Sequence, residues 1–191
     1  KGSLIDVIDY TKTATGARLL REFLKAPLLD KKQIEFRHNL IEVFLFNYDC
    51  LKKIDSFLSN LSDIERAISR VSAGIDNPRD LILIKQFIVF SEKIFDELML
   101  LKNEIIEKLI PSSIIRKCIN GIEDTISKKI IDTPPVNLND GGVIKDGVDK
   151  RLDELRNIKK IKKVEILKLQ ESYALETEVN NLKIKFNNIH G

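Results

Sequence analysis

The sequence predicts a predominantly all-α fold: an irregular helical core with long, lever-like helices, a short extended or hairpin segment near residues 132–148, and one terminal strand. Three observations predict it. Leu, Ile, Lys, Glu and Asn dominate while Trp is absent and Gly numbers only 8, a composition suited to long helices. Apolar residues recur at helical spacing along most of the chain. Helix-start signals stand where one apolar stripe gives way to the next.

The first clear helix is predicted from Thr13 to Lys25, with Leu19, Leu20, Phe23 and Leu24 on one face, and Pro27 ends it. Asp30 with Gln33 forms a variant capping box opening a helix that carries Ile34, Leu40, Ile41 and Phe44. A shorter helix follows through Leu51, Ile54, Phe57 and Leu58. Ser62-Asp63-Ile64-Glu65 is a fuller capping box, opening a helix with Ile64, Ile68 and Val71 inward and Gly74 to terminate it. Asn77-Pro78 restarts the chain, because Asn caps well and Pro at the first helical position loses no intrahelical bond. The stripe from Leu81 to Leu109 then predicts one helix of about thirty residues, on the order of 45 Å at 1.5 Å per residue, stopped by Pro111.

Residues 113–131 read as helix, weakened near Gly121 because Gly costs about 1 kcal/mol relative to Ala. Thr133-Pro134-Pro135 is extended, since each Pro fixes its own φ and biases its predecessor, and Asp140-Gly141-Gly142 is a turn. A last long helix is expected from Asp149 to Glu178, with Leu152, Leu155, Ile158, Ile166, Leu169 and Tyr173 available for packing. Leu182-Lys183-Ile184-Lys185-Phe186 alternates strictly, the pattern of a half-buried strand. Such a strand is marginal without a partner, so the chain is expected to stop inside a further domain.

A length of 191 residues suits one domain with a core plus an extension. The net charge of +3, from 32 basic and 29 acidic residues, is nearly balanced and is weak evidence for nucleic acid. Cys50 and Cys118 lack a Cys-x-x-Cys spacing, so reduced thiols are expected. No apolar run reaches the ~18 residues of a membrane span and the first residues lack a signal-peptide pattern, so a soluble, cytoplasmic protein without a membrane partner is expected.

Four separated segments carry a family resemblance. They are Ser3 to Asp9 with Thr11 to Leu20 and the exit Ala26-Pro27-Leu28; Asp63-Ile64-Glu65-Arg66, Ser69-Arg70 and Asn77-Pro78-Arg79-Asp80-Leu81; Ile130-Ile131-Asp132-Thr133-Pro134-Pro135 leading to Gly141-Gly142-Val143-Ile144, Gly147 and Leu152 to Arg156; and Leu182 to Asn187 with His190-Gly191. In this order they resemble the core and lever of the bacterial MutS family of DNA mismatch-repair proteins, over essentially the whole chain. The third segment is the most specific. Val148 departs from the pattern, standing where an aromatic residue is common. The resemblance implies a helical core over 1–148, a lever helix over 149–181, and the first strand of a clamp domain over 182–191. It also implies a full-length protein that forms a homodimer, encloses mismatched duplex DNA, works with other mismatch-repair proteins, and hydrolyses ATP with Mg2+ in a domain outside this chain. This segment is then the interdomain module that couples DNA binding to ATP hydrolysis by rigid-body helix movement.

No Gly-x-x-x-x-Gly-Lys-[Ser/Thr] loop occurs, so no cofactor and no ATPase activity are expected of the chain itself. His38 and His190 are too scattered for a metal site, and Glu123-Asp124 and Asp153-Glu154 are adjacent pairs that diverge on a helix. Catalytic residues are therefore expected to be none. Arg66, Arg70 and Arg79 with Asp63 and Asp80 are candidates for structural ion pairs, against the plainer reading of surface helix pairs worth a few tenths of a kcal/mol. Lys159, Lys160, Lys162 and Lys163 form the one basic run, available to phosphates, although they span most of a helix circumference and Glu165 interrupts them, which favours a solvated surface. Lys183 and Lys185 share one face of the expected strand and are further candidates for DNA-backbone contact. Helical periodicity alone also fits a scaffold or adaptor that binds a protein partner through amphipathic helices, and only the ordered motifs separate the two readings.

Overall fold

Nine α-helices form among the described residues of the computed structural model, which are 2–75, 77–135, 138–179 and 181–184. The chain divides into two units, Lys1–Ile144 and Lys145–Gly191.

In the first unit α1 (Leu4–Ile8) is followed by α2 (Ala14–Lys25), α3 (Lys31–Phe46), α4 (Tyr48–Leu58), α5 (Ile64–Ser72), α6 (Pro78–Met99), α7 (Glu104–Glu107) and α8 (Ser113–Lys129). Local chemistry fixes most of the starts. The Thr13 hydroxyl accepts from Gly16 N at 3.0 Å, the Asp30 carboxylate from Lys32 N at 2.7 Å, and the Asn77 side chain from Arg79 N at 3.0 Å. α3 and α4 meet at Asn47 alone, which ends one and begins the other.

The interior is organised around α6, which packs against α4, α5, α7 and α8. Two apolar clusters lie at its opposite ends. Cys50 and Ile54 of α4, Leu98 of α6 and Ile106 of α7 form one, backed by Val43 and Phe44. Ile82 of α6, Ile126 of α8 and Ile130 form the other, joined by Leu81, Val143 and Ile144. Burying these side chains contributes roughly 1.5–3 kcal/mol each and clamps both ends of α6.

The structure corrects several expectations. The long helix after Pro78 is not one helix of about thirty residues: α6 ends at Met99, and Lys102 takes φ 46 before Asn103 caps α7 through Ile105 N at 2.9 Å and Ile106 N at 3.4 Å. The break turns Ile106 into the first apolar cluster, where it is fully buried. α8 runs straight through Gly121, because packing on α6 outweighs the cost of one glycine. The inward face of α5 is Ile64 and Ala67, whereas Ile68 and Val71 are exposed. The Ser62-to-Glu65 capping box does not form: α5 begins one residue later, with Asp63 rather than Ser62 at its N-cap, and the Asp63 carboxylate is engaged by Arg18.

Of the two alternatives for the segment near 132–148, the described residues take the extended one rather than a laddered hairpin. Among them one antiparallel bridge joins Ile130 to Ile144, with Ile131 N donating to Val143 O at 3.0 Å, and Leu138–Asp140 form a 3-10 turn. Pro134 and Pro135 lack the N–H a ladder needs, and Gly141 and Gly142, at φ 69 and 73, turn the chain back.

The second unit is dominated by α9 (Lys150–Thr177), roughly 42 Å long at 1.5 Å per residue. Asp149 caps it, accepting from Leu152 N at 2.9 Å. None of the side chains of α9 is buried, and Leu155, Ile158, Ile166, Leu169 and Tyr173 are each about half-exposed. The expected terminal strand is not formed in its described part: Leu182 N turns back to Val179 O at 3.2 Å and Ile184 N donates to Gln170 Oε1 at 3.1 Å, satisfying backbone groups without a neighbouring strand. Residues 185–191, with Lys185, Phe186 and His190, lie outside the described residues.

Candidate functional site

Arginine–carboxylate clasps fix α5 and α8 to their neighbours. Arg70, on the last turn of α5, reaches across the Gly74 turn to Asp80 on the first turn of α6. Its Nε donates to Oδ2 at 2.7 Å and Nη2 donates to Oδ1, a fork that matches both carboxylate oxygens. Asp80 is 1% exposed, so the pair is desolvated on the carboxylate side. The hydrogen bonds from Arg70 hold the Asp80 carboxyl below the usual carboxylate range, and the same contact raises the Arg70 guanidinium. Asp80 also stands at the positive end of α6, where an anion is favoured.

At the other end of α5, Arg18 of α2 donates to both oxygens of Asp63, at 3.0 and 2.7 Å, and lies 2.5 Å from Glu65. Hydrogen bonding from Arg18 lowers the Asp63 carboxyl below its ordinary value. Arg66 stands 3.4 Å from the same carboxylate with its side chain largely in solvent, an exposed pair of small worth. Arg79 is directed elsewhere: its Nε donates to Pro134 O at 3.2 Å, tying α6 to the extended segment. Lys85 adds a second tie there, 2.8 Å from Asp132. On α8, Arg116 contacts both oxygens of Glu92 and lies 3.3 Å from Asp96, while its guanidinium sits 5.5 Å from the Phe95 ring. Neither Arg18 nor Arg116 was among the sequence candidates. No local spacing marks them, since Arg18 finds its carboxylate 45 positions away and Arg116 finds Glu92 24 positions away.

The lysines of α9 occupy a different setting. Lys159, Lys160, Lys162 and Lys163 are all exposed, and Lys162 is engaged by Glu165 at 2.9 Å. Lys183 is exposed, and Lys185 lies outside the described residues.

Among the described residues, no three His, Cys, Asp or Glu side chains converge to hold a metal ion, and no helix is long and apolar enough to cross a membrane. His38 is exposed on α3. Glu123 accepts from the Ser127 hydroxyl and Asp124 pairs with Lys128 at 2.7 Å, so each adjacent acid has its own helical partner. Both cysteines are free thiols. Burial raises the Cys50 thiol, and Cys118 is exposed on α8. An open, largely apolar cavity of about 310 Å³ lies between the end of α5, the start of α6 and Val143, and Asn77 is the one polar side chain among the described residues that line it.

Residues 1–187 match the family model described as MutS domain III. The chain is similar to three proteins named DNA mismatch repair protein MutS: that of Bacteroides thetaiotaomicron, 36% identical over 189 residues, 99% of this chain and 22% of the relative; that of Halothermothrix orenii, 35% identical over 191 residues, 100% and 21%; and that of Bacteroides fragilis, 38% identical over 189 residues, 99% and 22%. The chain thus spans about a fifth of the length of these relatives.

Proposed function

The chain belongs to the MutS domain III family, and from that premise we propose that it is the core and lever of a DNA mismatch-repair ATPase, coupling mismatch binding to ATP hydrolysis in distant domains. The observation that carries the reading is the construction of α6: apolar clusters clamp both of its ends, and charged clasps hold α5 and α8 along its sides. Packed helices of this kind exchange between discrete arrangements rather than bending continuously, which suits them to passing on rigid-body rotation. The long α9, with its half-exposed apolar side chains, supplies reach. In this reading the complete protein acts in the cytoplasm as a homodimer on mismatched duplex DNA, together with other mismatch-repair proteins. ATP and Mg2+ are held by residues outside this chain. Lys159, Lys160, Lys162, Lys163 and Lys183 are available to DNA phosphates as non-specific contacts.

The test places this chain in B. thetaiotaomicron MutS in place of the matching segment. Asn157, exposed within α9, is replaced by Ala or by Pro; proline inside a helix costs about 3 kcal/mol and kinks it. The chimera and Asn157→Ala are expected to show ATP turnover that responds to mismatched DNA. Asn157→Pro is expected to bind mismatch and hydrolyse ATP while that response falls away. Undiminished response with the kinked helix would sink the coupling role, as would tight preference for mismatched over matched duplex by the 191-residue chain alone.

A further inference from the structure

The stretch 130–134 that follows α8 forms a strap along the start of α6. Ile130 and Pro134 are buried, Ile130 in the apolar cluster with Ile82 and Ile126. Two basic side chains of α6 reach the strap: Lys85 pairs with Asp132 at 2.8 Å, and Arg79 Nε donates to Pro134 O at 3.2 Å. The earlier strap residue meets the later helix residue, so the strap runs antiparallel to α6. On its other edge the backbone makes the contact, with Ile131 N donating to Val143 O at 3.0 Å and Ile130 bridged to Ile144. The covalent way round to Val143 passes Gly141 and Gly142, at φ 69 and 73 with open space about both, and a pair of glycines carries displacement poorly. The hydrogen-bonded shortcut avoids them. Beyond Ile144 the chain is anchored again at once: Arg156 pairs with Asp146 at 2.7 Å and Gly147 N donates to Asp153 Oδ2 at 2.9 Å, fixing 146–147 to the first two turns of α9. Lys145 is the one residue between the two anchored stretches.

We propose that Arg79 and Lys85 are positioning residues of the coupling, a role that rests on the function proposed above: by holding the strap to the start of α6 they carry a displacement of α6 to Ile144, and through Lys145 to the root of α9. Arg79 and Asp132 are exposed, so each tie is of modest worth and the apolar clusters hold the fold without them. Their contribution is register. Apolar contact is non-directional and tolerates sliding of the strap along α6, whereas two directional polar ties fix it at two points on the helix axis.

The B. thetaiotaomicron MutS chimera carrying this chain tests it, with mismatch affinity, unstimulated ATP turnover and the ratio of mismatch-stimulated to unstimulated turnover measured for each variant. Arg79→Met with Lys85→Met is expected to lower that ratio by at least about twofold, with mismatch affinity and unstimulated turnover as in the parent chimera. Lys53→Met removes a tie of the same kind between α4 and the far end of α6, to Glu97 at 3.0 Å, and is expected to leave the ratio unchanged. Lys85→Glu is expected to lower the ratio and the added Asp132→Lys, which rebuilds the pair with charges exchanged, to restore it. Equal loss with Lys53→Met would overturn the proposal, as would no recovery in the exchanged pair. An unchanged ratio in the double Met variant while Asn157→Pro abolishes the response would overturn the role of the strap and leave the coupling function standing; an unchanged ratio in both would remove the two together. If the double Met variant does not fold, Lys85→Met alone supplies the same comparison.

Discussion

Replacing Ile106 by Ala tests whether the chain breaks after α6 for the reason the structure gives. Ile106 lies on a helix of 4 residues, α7, which has too few internal hydrogen bonds to hold itself, yet its side chain is fully buried against Cys50, Ile54 and Leu98. Truncation to Ala removes three buried carbons at about 0.8 kcal/mol each, about 2.4 kcal/mol of transfer free energy. The space left behind adds to this, because α3, α4 and α6 are held by their own contacts and cannot collapse into it, bringing the expected loss to about 4 kcal/mol. That is a large part of the roughly 5–15 kcal/mol by which domains of this kind are stable. Ile106→Val removes one carbon and is expected to cost about 1 kcal/mol. Leu109→Ala, at a residue 43% exposed, is expected to cost less than Ile106→Ala by at least about 2 kcal/mol. Urea unfolding followed by circular dichroism measures all three. If α6 instead continued as one straight helix, as the apolar periodicity from Leu81 to Leu109 suggests, position 106 would leave the stripe and Leu109 would carry the cost. A larger loss for Leu109→Ala than for Ile106→Ala would refute the broken-helix geometry.

Lys102 adopts φ 46, so Lys102→Gly is expected to raise the unfolding free energy measured in urea by a few tenths of a kcal/mol and Lys102→Ile to lower it by about 1 kcal/mol; the reverse order would contradict the left-handed turn. Asp63 and Asp80 are held below the ordinary carboxylate range by hydrogen bonds from Arg18 and Arg70, so their contribution to stability is present above about pH 4 and disappears as pH falls through the folded-state values. The unfolding midpoint is therefore expected to hold from pH 7 to about pH 5 and then fall on acidification, with Asp80→Asn flattening the fall; a midpoint that rises on acidification would contradict the clasps. Changing Lys159, Lys160 and Lys163 together to Gln is expected to weaken non-specific duplex binding uniformly across sequences and to reduce its dependence on log salt by up to about three, read by anisotropy titrations at several salt concentrations. An unchanged salt slope would remove α9 from the phosphate-contacting surface.

Where a helix begins is mostly a matter between a side chain and the next three backbone amides, so Thr13, Asp30, Asn77-Pro78 and Asp149 announced their helices in the sequence. The family was equally legible, because its motifs are short, ordered and spread along the chain. The Arg70–Asp80 pair was readable as a candidate since its members lie only 10 positions apart across a glycine turn. What the sequence hid were decisions taken between distant segments. Lys102 and Asn103 carry no stronger breaking signal than residues inside other helices, and only the pull of a buried Ile106 toward α4 makes the interruption favourable. Asp63 was readable as an ion-pair residue, but its partner was not: the charge-assisted fork comes from Arg18 on α2, 45 positions away. The sequence by itself determined the helical class, the family and most helix starts, all of which rest on interactions within a turn or two of chain. Only the tertiary structure decided where α6 stops, which arginine meets which carboxylate, and which face of α5 turns inward, since those outcomes depend on surfaces that exist only after the helices have packed.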